Sequence, residues 1–182
     1  MVILVTGGAG YVGSTLIQNL CNNNQVISID NYSVGLKSNH VTHDNVSYIN
    51  MHSKNINEEF IQKNNIEMIY HLGEYSRIAP SFNDIETVFE SNIQGSFNII
   101  KLCSTLNIPL IYSASSTKFA TEGVSHSPYS YFKGFIVDLV KNYGKWYGLK
   151  YSICYFYNVY GSNTATAWNK QNYQNVIDVF RR

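Results

Sequence analysis

Apolar positions along the chain fall into short β-branched runs separated by longer stretches whose apolar residues recur at helical spacing. The runs Val2–Thr6, Gln25–Asp30, Val46–Asn50, Glu67–Leu72, Ile108–Ser113 and Lys150–Tyr157 have the length and residue types of buried strands. Between them the spacing predicts helices over Tyr11–Asn22, near Asn57–Asn64, over Asp84–Leu106 and over Tyr129–Tyr147, with a final turn or two from Tyr173. Strands that alternate with helices predict a parallel, doubly wound sheet. Right-handed crossovers then give the strand order 3-2-1-4-5-6, with ligands at the carboxyl ends of the strands where the order reverses. The least regular stretch, Thr121–Ser127, reads as an active-site loop, and there is no internal repeat or Pro/Gly/Ser-rich linker.

Composition narrows the classes of partner. The chain has 182 residues, 45% of them hydrophobic, enough for one substantial core. A formal net charge of +1 with no run of Lys or Arg gives no footprint for nucleic acid or an anionic membrane, so small molecules or protein are the expected partners. The apolar start Met1–Thr6 is too short for a secretion signal and no later run reaches a membrane span, which makes the cytoplasm the expected location. Three scattered cysteines, Cys21, Cys103 and Cys154, suggest neither a disulfide framework nor a zinc site. They are expected to be small core residues, and no metal site is expected.

The segment Thr6-Gly7-Gly8-Ala9-Gly10-Tyr11-Val12-Gly13 follows the first predicted strand and opens the first predicted helix. Such glycines suit a pyrophosphate. Gly7 permits the tight turn, Gly10 lets the backbone approach the phosphates, and Gly13 lets helix and strand pack closely. N–H groups at the helix start then face the anion. A glycine pattern by itself also fits an ordinary strand-to-helix turn, and Asp30 by itself also fits an Asx turn. Together they fit a dinucleotide. At the end of the second strand a carboxylate can accept both adenosine ribose hydroxyls and would repel the 2′-phosphate of NADP, so NAD is the expected cofactor. Replacing Asp30 is expected to weaken NAD binding while sparing the fold.

Tyr129-Ser130-Tyr131-Phe132-Lys133 sets a phenol and an ammonium one helical turn apart on one face. With this many tyrosines and lysines, chance supplies about one Tyr-x-x-x-Lys pair, and a helical pair also has plain structural uses. Position gives this one its meaning. It opens the helix after the fifth strand, and that strand runs into Tyr112-Ser113-Ala114-Ser115-Ser116-Thr117. A free tyrosine titrates at about 10, so a phenolate base working near neutrality needs stabilising charges around it. Lys133 and the positive nicotinamide ring would supply them. Tyr129 would take the proton from a sugar hydroxyl, Ser115 or Thr117 would hydrogen-bond the same oxygen, and the nicotinamide would take the hydride.

In order along the chain, the Thr6–Gly13 loop, Asp30-Asn31, His71-Leu72-Gly73, Ser91-Asn92-Ile93-Gln94-Gly95, the Ser115 cluster, Tyr129/Lys133 and Tyr155-Phe156-Tyr157-Asn158-Val159-Tyr160-Gly161 resemble the extended short-chain dehydrogenases. Within them the sequence is most similar to the UDP-glucose 4-epimerase-like nucleotide-sugar enzymes, NAD-dependent isomerases of carbohydrate metabolism. The resemblance implies a Rossmann fold over residues 1–162 and the start of a substrate domain over 163–182. It implies cofactor contacts from Gly7, Gly10, Tyr11, Val12, Gly13, Asp30, Asn31, Leu72, Gly73, Asn92, Ser113, Tyr129 and Lys133. Ser115 matches the active-site hydroxyl, Lys133 also reaches the nicotinamide ribose, and Asn158 contacts the diphosphate of the nucleotide sugar. The helices over Asp84–Leu106 and after Tyr129 would form a four-helix homodimer interface.

The departures carry information too. Dehydratases of the family have an Asp-Glu pair just after the strand-five hydroxyl, where this chain has Ser116 and Thr117, so water elimination is disfavoured. The family's V-Y-G is Lys118-Phe119-Ala120, its adenine-contacting Asp is His52, and its small residue after His71-Leu72-Gly73 is Glu74. Glu74 and Lys118 either pair at the site or are solvated loop charges, the latter being favoured; His71 reads as a packed strand-end residue. The leading reading is C4 epimerisation of a nucleotide sugar with Tyr129 as base. The alternatives are a non-catalytic NAD-binding or oligomerisation module, one half of a split enzyme completed by a C-terminal chain, and a 4,6-dehydratase or reductase. Because Tyr173–Phe180 resembles the first helix of the substrate domain, the chain alone is expected to keep fold and cofactor site but to turn over poorly, as a truncated product, split piece or fragment.

Overall fold

The computed structural model describes residues 1–119 and 126–160. The turn expected from Tyr173, most of the loop at Thr121–Ser127 and the segment 163–182 lie outside the described residues. One sheet contains the strands β1 Val2–Thr6, β2 Gln25–Asp30, β3 Val46–Asn50, β4 Met68–His71, β5 Leu110–Ser115 and β6 Tyr151–Phe156. All pairings are parallel and the order is β3-β2-β1-β4-β5-β6, as the crossover rule predicts. The order reverses between β1 and β4. At that point crossovers leave in opposite directions, and a crevice opens at the carboxyl ends of both strands.

The first three strands fall where the apolar runs predict. β5 begins later than expected because Pro109 has no N–H to give the ladder, although its carbonyl accepts from Ile69 at 3.0 Å. The helices are α1 Tyr11–Leu20, α2 Glu58–Lys63, α3 Ile85–Val88, α4 Ser96–Thr105 and α5 Pro128–Tyr147. The single α-helix expected over Asp84–Leu106 is instead α3 and α4 joined by a π-helical stretch, Phe89–Gly95. The wider turn coincides with two local demands. Asn92 is fully buried and binds the Tyr75 main chain through both ends of its amide, and Gly95 packs so near Ser53 that a Cβ would come within 2.3 Å of its hydroxyl.

Strand alternation divides the core between two faces. Ile3 and Val5 of β1 pack with Ile17 and Cys21 on the α1 side. Leu4 faces the larger cluster, where Ile99, Ile100 and Cys103 of α4 meet Ile136, Val137 and Val140 of α5. Cys154, expected in the core, is exposed on edge strand β6, whereas Cys21 and Cys103 are buried. α5 starts one residue before its predicted start because Pro128 fits the first helical position and Ser127 caps the helix, accepting from the Ser130 N–H at 3.1 Å. It stops at Gly148, whose φ of 70° is left-handed.

His71 ties the end of β4 to its neighbours and is fully buried. Its Nδ1 lies 2.7 Å from Thr6 Oγ1 and its Nε2 lies 2.9 Å from Ser96 Oγ. Thr6 Oγ1 already accepts from the Leu72 and Gly73 N–H groups, so its own proton goes to Nδ1 and the ring donates from Nε2. Burial pushes the imidazole down to about 4, the Glu74 charge opposing and Lys133 adding to the shift. The packed strand-end role expected of His71 is the one observed. The consequence for stability has a definite sign. Between the ordinary value of about 6.5 and about 4, an unfolded chain takes up a proton at residue 71 that the folded chain does not. Stability should therefore fall with pH across that window, by about 3 kcal/mol from this group. Urea unfolding of wild type and His71→Asn at pH 7 and pH 4.5 checks it: the wild type should lose more than the variant, and equal losses would remove His71 from the acid response.

Candidate active site

A cleft of about 880 Å³ lies over the carboxyl ends of β1, β2, β4 and β5. Its phosphate end is the turn after β1. Gly7 has φ 73° and lies so close to Gly73 that a Cβ would come within 2.7 Å of its backbone, so only glycine serves there. At Gly13 a Cβ would meet the Gly7 carbonyl at 2.2 Å, which holds the start of α1 against the turn. No side chain caps that helix start. It is a ready anion site, and Tyr11, Val12 and Gly10 line the cleft beside it.

Asp30 ends β2 with a buried carboxylate. Its Oδ2 accepts from the Ala9 N–H at 3.0 Å and its Oδ1 from the Tyr32 N–H at 2.8 Å. Burial raises its affinity for protons, and these two bonds oppose that shift. The sequence offers this carboxylate the ribose or an Asx turn; the bond to Tyr32 is that turn, and the bond to Ala9 adds a brace on the glycine turn. Replacing it therefore touches the fold as well as the cofactor.

At the other end of the cleft, Ser113, Ser115 and Thr117 from β5 and its extension face Tyr129 and Lys133 at the start of α5. Thr117 donates its hydroxyl and its N–H to Ser115 Oγ, at 3.0 and 3.3 Å, which leaves the Ser115 proton for another acceptor. Tyr129 is 8% exposed, and its N–H donates to Ser81 Oγ at 3.3 Å, fixing the first turn of α5. Lys133 Nζ donates to a Glu74 carboxylate oxygen and to the Ser113 carbonyl. The paired side chains are 7% and 2% exposed. The other Glu74 oxygen accepts from Ser96 Oγ and from Tyr112 OH, the latter at 3.1 Å. Burial and the neighbouring Glu74 charge push the Tyr112 phenol well above its ordinary value, so it stays a donor. Thr6, His71, Ser96, Glu74 and Lys133 thus form one continuous polar chain beneath the cleft.

The sequence model of the NAD dependent epimerase/dehydratase family matches residues 3–182. The chain belongs to this family. Its cofactor is NAD, and the glycine turn, the uncapped helix start and Asp30 together fit that group. The chain is similar to a putative UDP-glucose 4-epimerase of Methanocaldococcus jannaschii, at 29% identity over 175 residues, covering 88% of this chain and 56% of the relative. It is 26% identical over 182 residues to UDP-glucuronic acid decarboxylase 5 of Arabidopsis thaliana, covering 88% of this chain and 52% of that one. Among solved structures, the UDP-N-acetylglucosamine 4-epimerase from Methanobrevibacter ruminantium M1 in complex with UDP-N-acetylmuramic acid superposes with a TM-score of 0.80 at 27% identity, covering 87% of this chain and 55% of that chain. The chain spans about half the length of the relatives it matches.

Within this epimerase/dehydratase frame, most residues assigned from the sequence line the cleft: Gly7, Gly10, Tyr11, Val12, Gly13, Asp30, Asn31, Leu72, Gly73, Ser113, Ser115, Thr117, Tyr129, Lys133 and Asn158. Asn92 does not. Its amide is spent on Tyr75, so it braces the chain after β4 behind the cleft wall. The charge pairing also differs from expectation. Lys118 binds Asp138 at 2.8 Å on the surface, and Glu74, far from being solvated, is the buried partner of Lys133. Arg77 was not singled out from the sequence, although an arginine just beyond the carboxyl end of a strand at the switch point is itself a signal. It lines the cleft half-buried, and burial lowers its affinity for protons while the Tyr129 and Tyr75 phenols oppose that shift.

Removing one member of a buried ion pair leaves the other charge without compensation, at a cost of about 3–5 kcal/mol. Glu74→Gln should reduce stability by that order, read from the urea midpoint at neutral pH. Adding Lys133→Met should restore much of the loss, whereas additive losses in the double variant would show that the two side chains act independently.

Proposed function

We propose that the chain carries the cofactor and catalytic half of an NAD-dependent nucleotide-sugar 4-epimerase. The observation that carries this reading is the shared cleft in which the dinucleotide cradle at one end meets Tyr129, Ser115, Thr117 and Lys133 at the other. The glycine turn and α1 start would hold the pyrophosphate, and Asp30 and Asn31 the adenosine ribose. NAD, when bound, supplies the acceptor and later the donor for the hydride at C4 of the sugar. Tyr129 takes the C4 hydroxyl proton as that carbon is oxidised, and Ser115, with its proton free to donate, holds the same oxygen. After the keto sugar presents its other face, Tyr129 returns the proton. Net redox is zero. Ser116 and Thr117, in place of an acidic pair, leave no carboxylic acid to expel a hydroxyl, which argues against dehydration.

The length relation to the relatives favours a second reading, in which residues 1–162 form a complete cofactor domain and the substrate contacts come from further chain, so that this chain alone binds NAD but turns over poorly. Homodimerisation is part of the proposal. Ile85, Phe89 and Phe97 on the α3–α4 segment and Tyr131 and Phe135 on α5 are exposed, and Ile85, Phe89 and Phe132 line a shallow groove. Apolar surface of this extent on adjacent helices fits a second copy.

Calorimetric titration should show NAD binding more tightly than NADP; the reverse order would overturn the role of Asp30. Tyr129→Phe should lower interconversion of UDP-glucose and UDP-galactose by a factor on the order of 10² or more with NAD affinity little changed, and an equally active variant would dismiss Tyr129 as base. Sedimentation should give twice the 20.7 kDa of one chain, with Phe135→Glu monomeric. A wild-type monomer at micromolar concentration would refute the dimer.

A further inference from the structure

Among the described residues the charged side chains lining the cleft are Asp30, Glu74, Glu90, Arg77 and Lys133. Four of them are already satisfied. Glu74 pairs with Lys133, Glu90 pairs with Lys54, and Asp30 accepts from two backbone amides. Arg77 has no ion pair with a described residue, and its Nε is buried without a hydrogen-bond partner. A guanidinium keeps its charge, and a buried donor with no acceptor is costly unless something entering the cleft accepts from it. Among the described residues, the charged side chain facing the cleft with a buried donor left unmet is therefore the positive one, and it carries a planar fork of donors, the geometry that matches a carboxylate or a phosphate.

The place of Arg77 separates those two. The cofactor pyrophosphate has its own partner at the start of α1, on the turn after β1. Arg77 lies in the loop after β4, four residues before Ser81, whose Oγ accepts from the Tyr129 N–H at 3.3 Å, so the loop that carries the guanidinium meets the start of α5, and both side chains line the cleft. If Tyr129 works on the C4 hydroxyl, an anion beside it belongs to the C4 side of the sugar ring. The diphosphate of a nucleotide sugar leaves from C1, across the ring. The substituent next to C4 is the one on C5, which in a uronic acid is a carboxylate.

We propose that Arg77 is a substrate-binding residue that anchors the C5 carboxylate of a nucleotide uronate, so that the site favours a nucleotide-linked uronic acid over the corresponding neutral hexose. This rests on the reading of Tyr129 as the base at C4. Pairing Glu74 with Lys133 sharpens the preference, because it leaves Arg77 as the cation that a second negative charge on the substrate can meet.

The test is calorimetric titration of NAD-loaded protein with UDP-glucuronate and with UDP-glucose, for wild type, Arg77→Lys and Arg77→Gln. Wild type should bind the uronate at least about tenfold more tightly, since a charge-assisted pair is worth that much. Arg77→Gln should bring the ratio of the two affinities close to one, and Arg77→Lys, which keeps the charge and loses the fork, should fall between. No preference in wild type would overturn the proposal. An equal weakening of both ligands by Arg77→Gln would also overturn it, assigning the side chain to the diphosphate that both share. Preference for the uronate that Arg77→Gln abolishes would support the subsite whether or not this chain alone turns over either sugar, whereas the role of Tyr129 is read from the activity of Tyr129→Phe, which keeps the two readings distinguishable.

Discussion

A buried ammonium must have a partner, and in this protein the partner decides how the site is built. Lys133 faces inward because it lies one turn from Tyr129 on the cleft side of α5, where it is 5% exposed. Withdrawing that charge from water without compensation would cost several kcal/mol. Glu74 supplies the compensation, but a carboxylate brought to the same place has lone pairs of its own to satisfy. Tyr112 and Ser96 satisfy them, and Ser96 is in turn held by the His71 ring and through it by Thr6. One ion pair therefore anchors the hydrogen bonds of Ser96, His71 and Tyr112 and, through them, the contact between β1, β4, β5 and α4. The cleft floor is a consequence of pairing a single cation.

This account explains why the fold was readable from the sequence while part of the site was not. Strand order follows from alternation and crossover handedness, both local or chiral properties, and the first three strands coincide with their apolar runs. The boundaries of α5 follow from Ser127, Pro128 and Gly148, each a residue with one strong backbone preference. The π-helical stretch at Phe89–Gly95 has no such signature, because it answers to Asn92 and Tyr75, which meet only in three dimensions. The same holds for Glu74. Read locally it is a loop carboxylate, and only the approach of α5 to the end of β4 makes it a buried one. Lys118, read either as its partner or, preferably, as a solvated loop charge, pairs at the surface with Asp138 of α5.

Asp30 shows how a motif residue can have two loads. Spacing offers it the ribose or an Asx turn with the Tyr32 amide, and nothing in the sequence gives it the Ala9 amide. That second bond braces the glycine turn, so a side chain read as a ribose ligand also preorganises the backbone beside it.

On the proposed reading, in which Tyr129 is the base, Lys133 one turn further along α5 would be the cation for the developing phenolate. Here the carboxylate of Glu74 binds that lysine, and a second cation, Arg77, lies three residues further along the same loop and lines the cleft. With Glu74 and no Arg77 the described cleft would lack an unpaired cation; with Arg77 and no Glu74 it would carry two. On the proposed reading the free positive charge therefore stands at Arg77 on the cleft wall, where an anionic group on an incoming sugar would meet it.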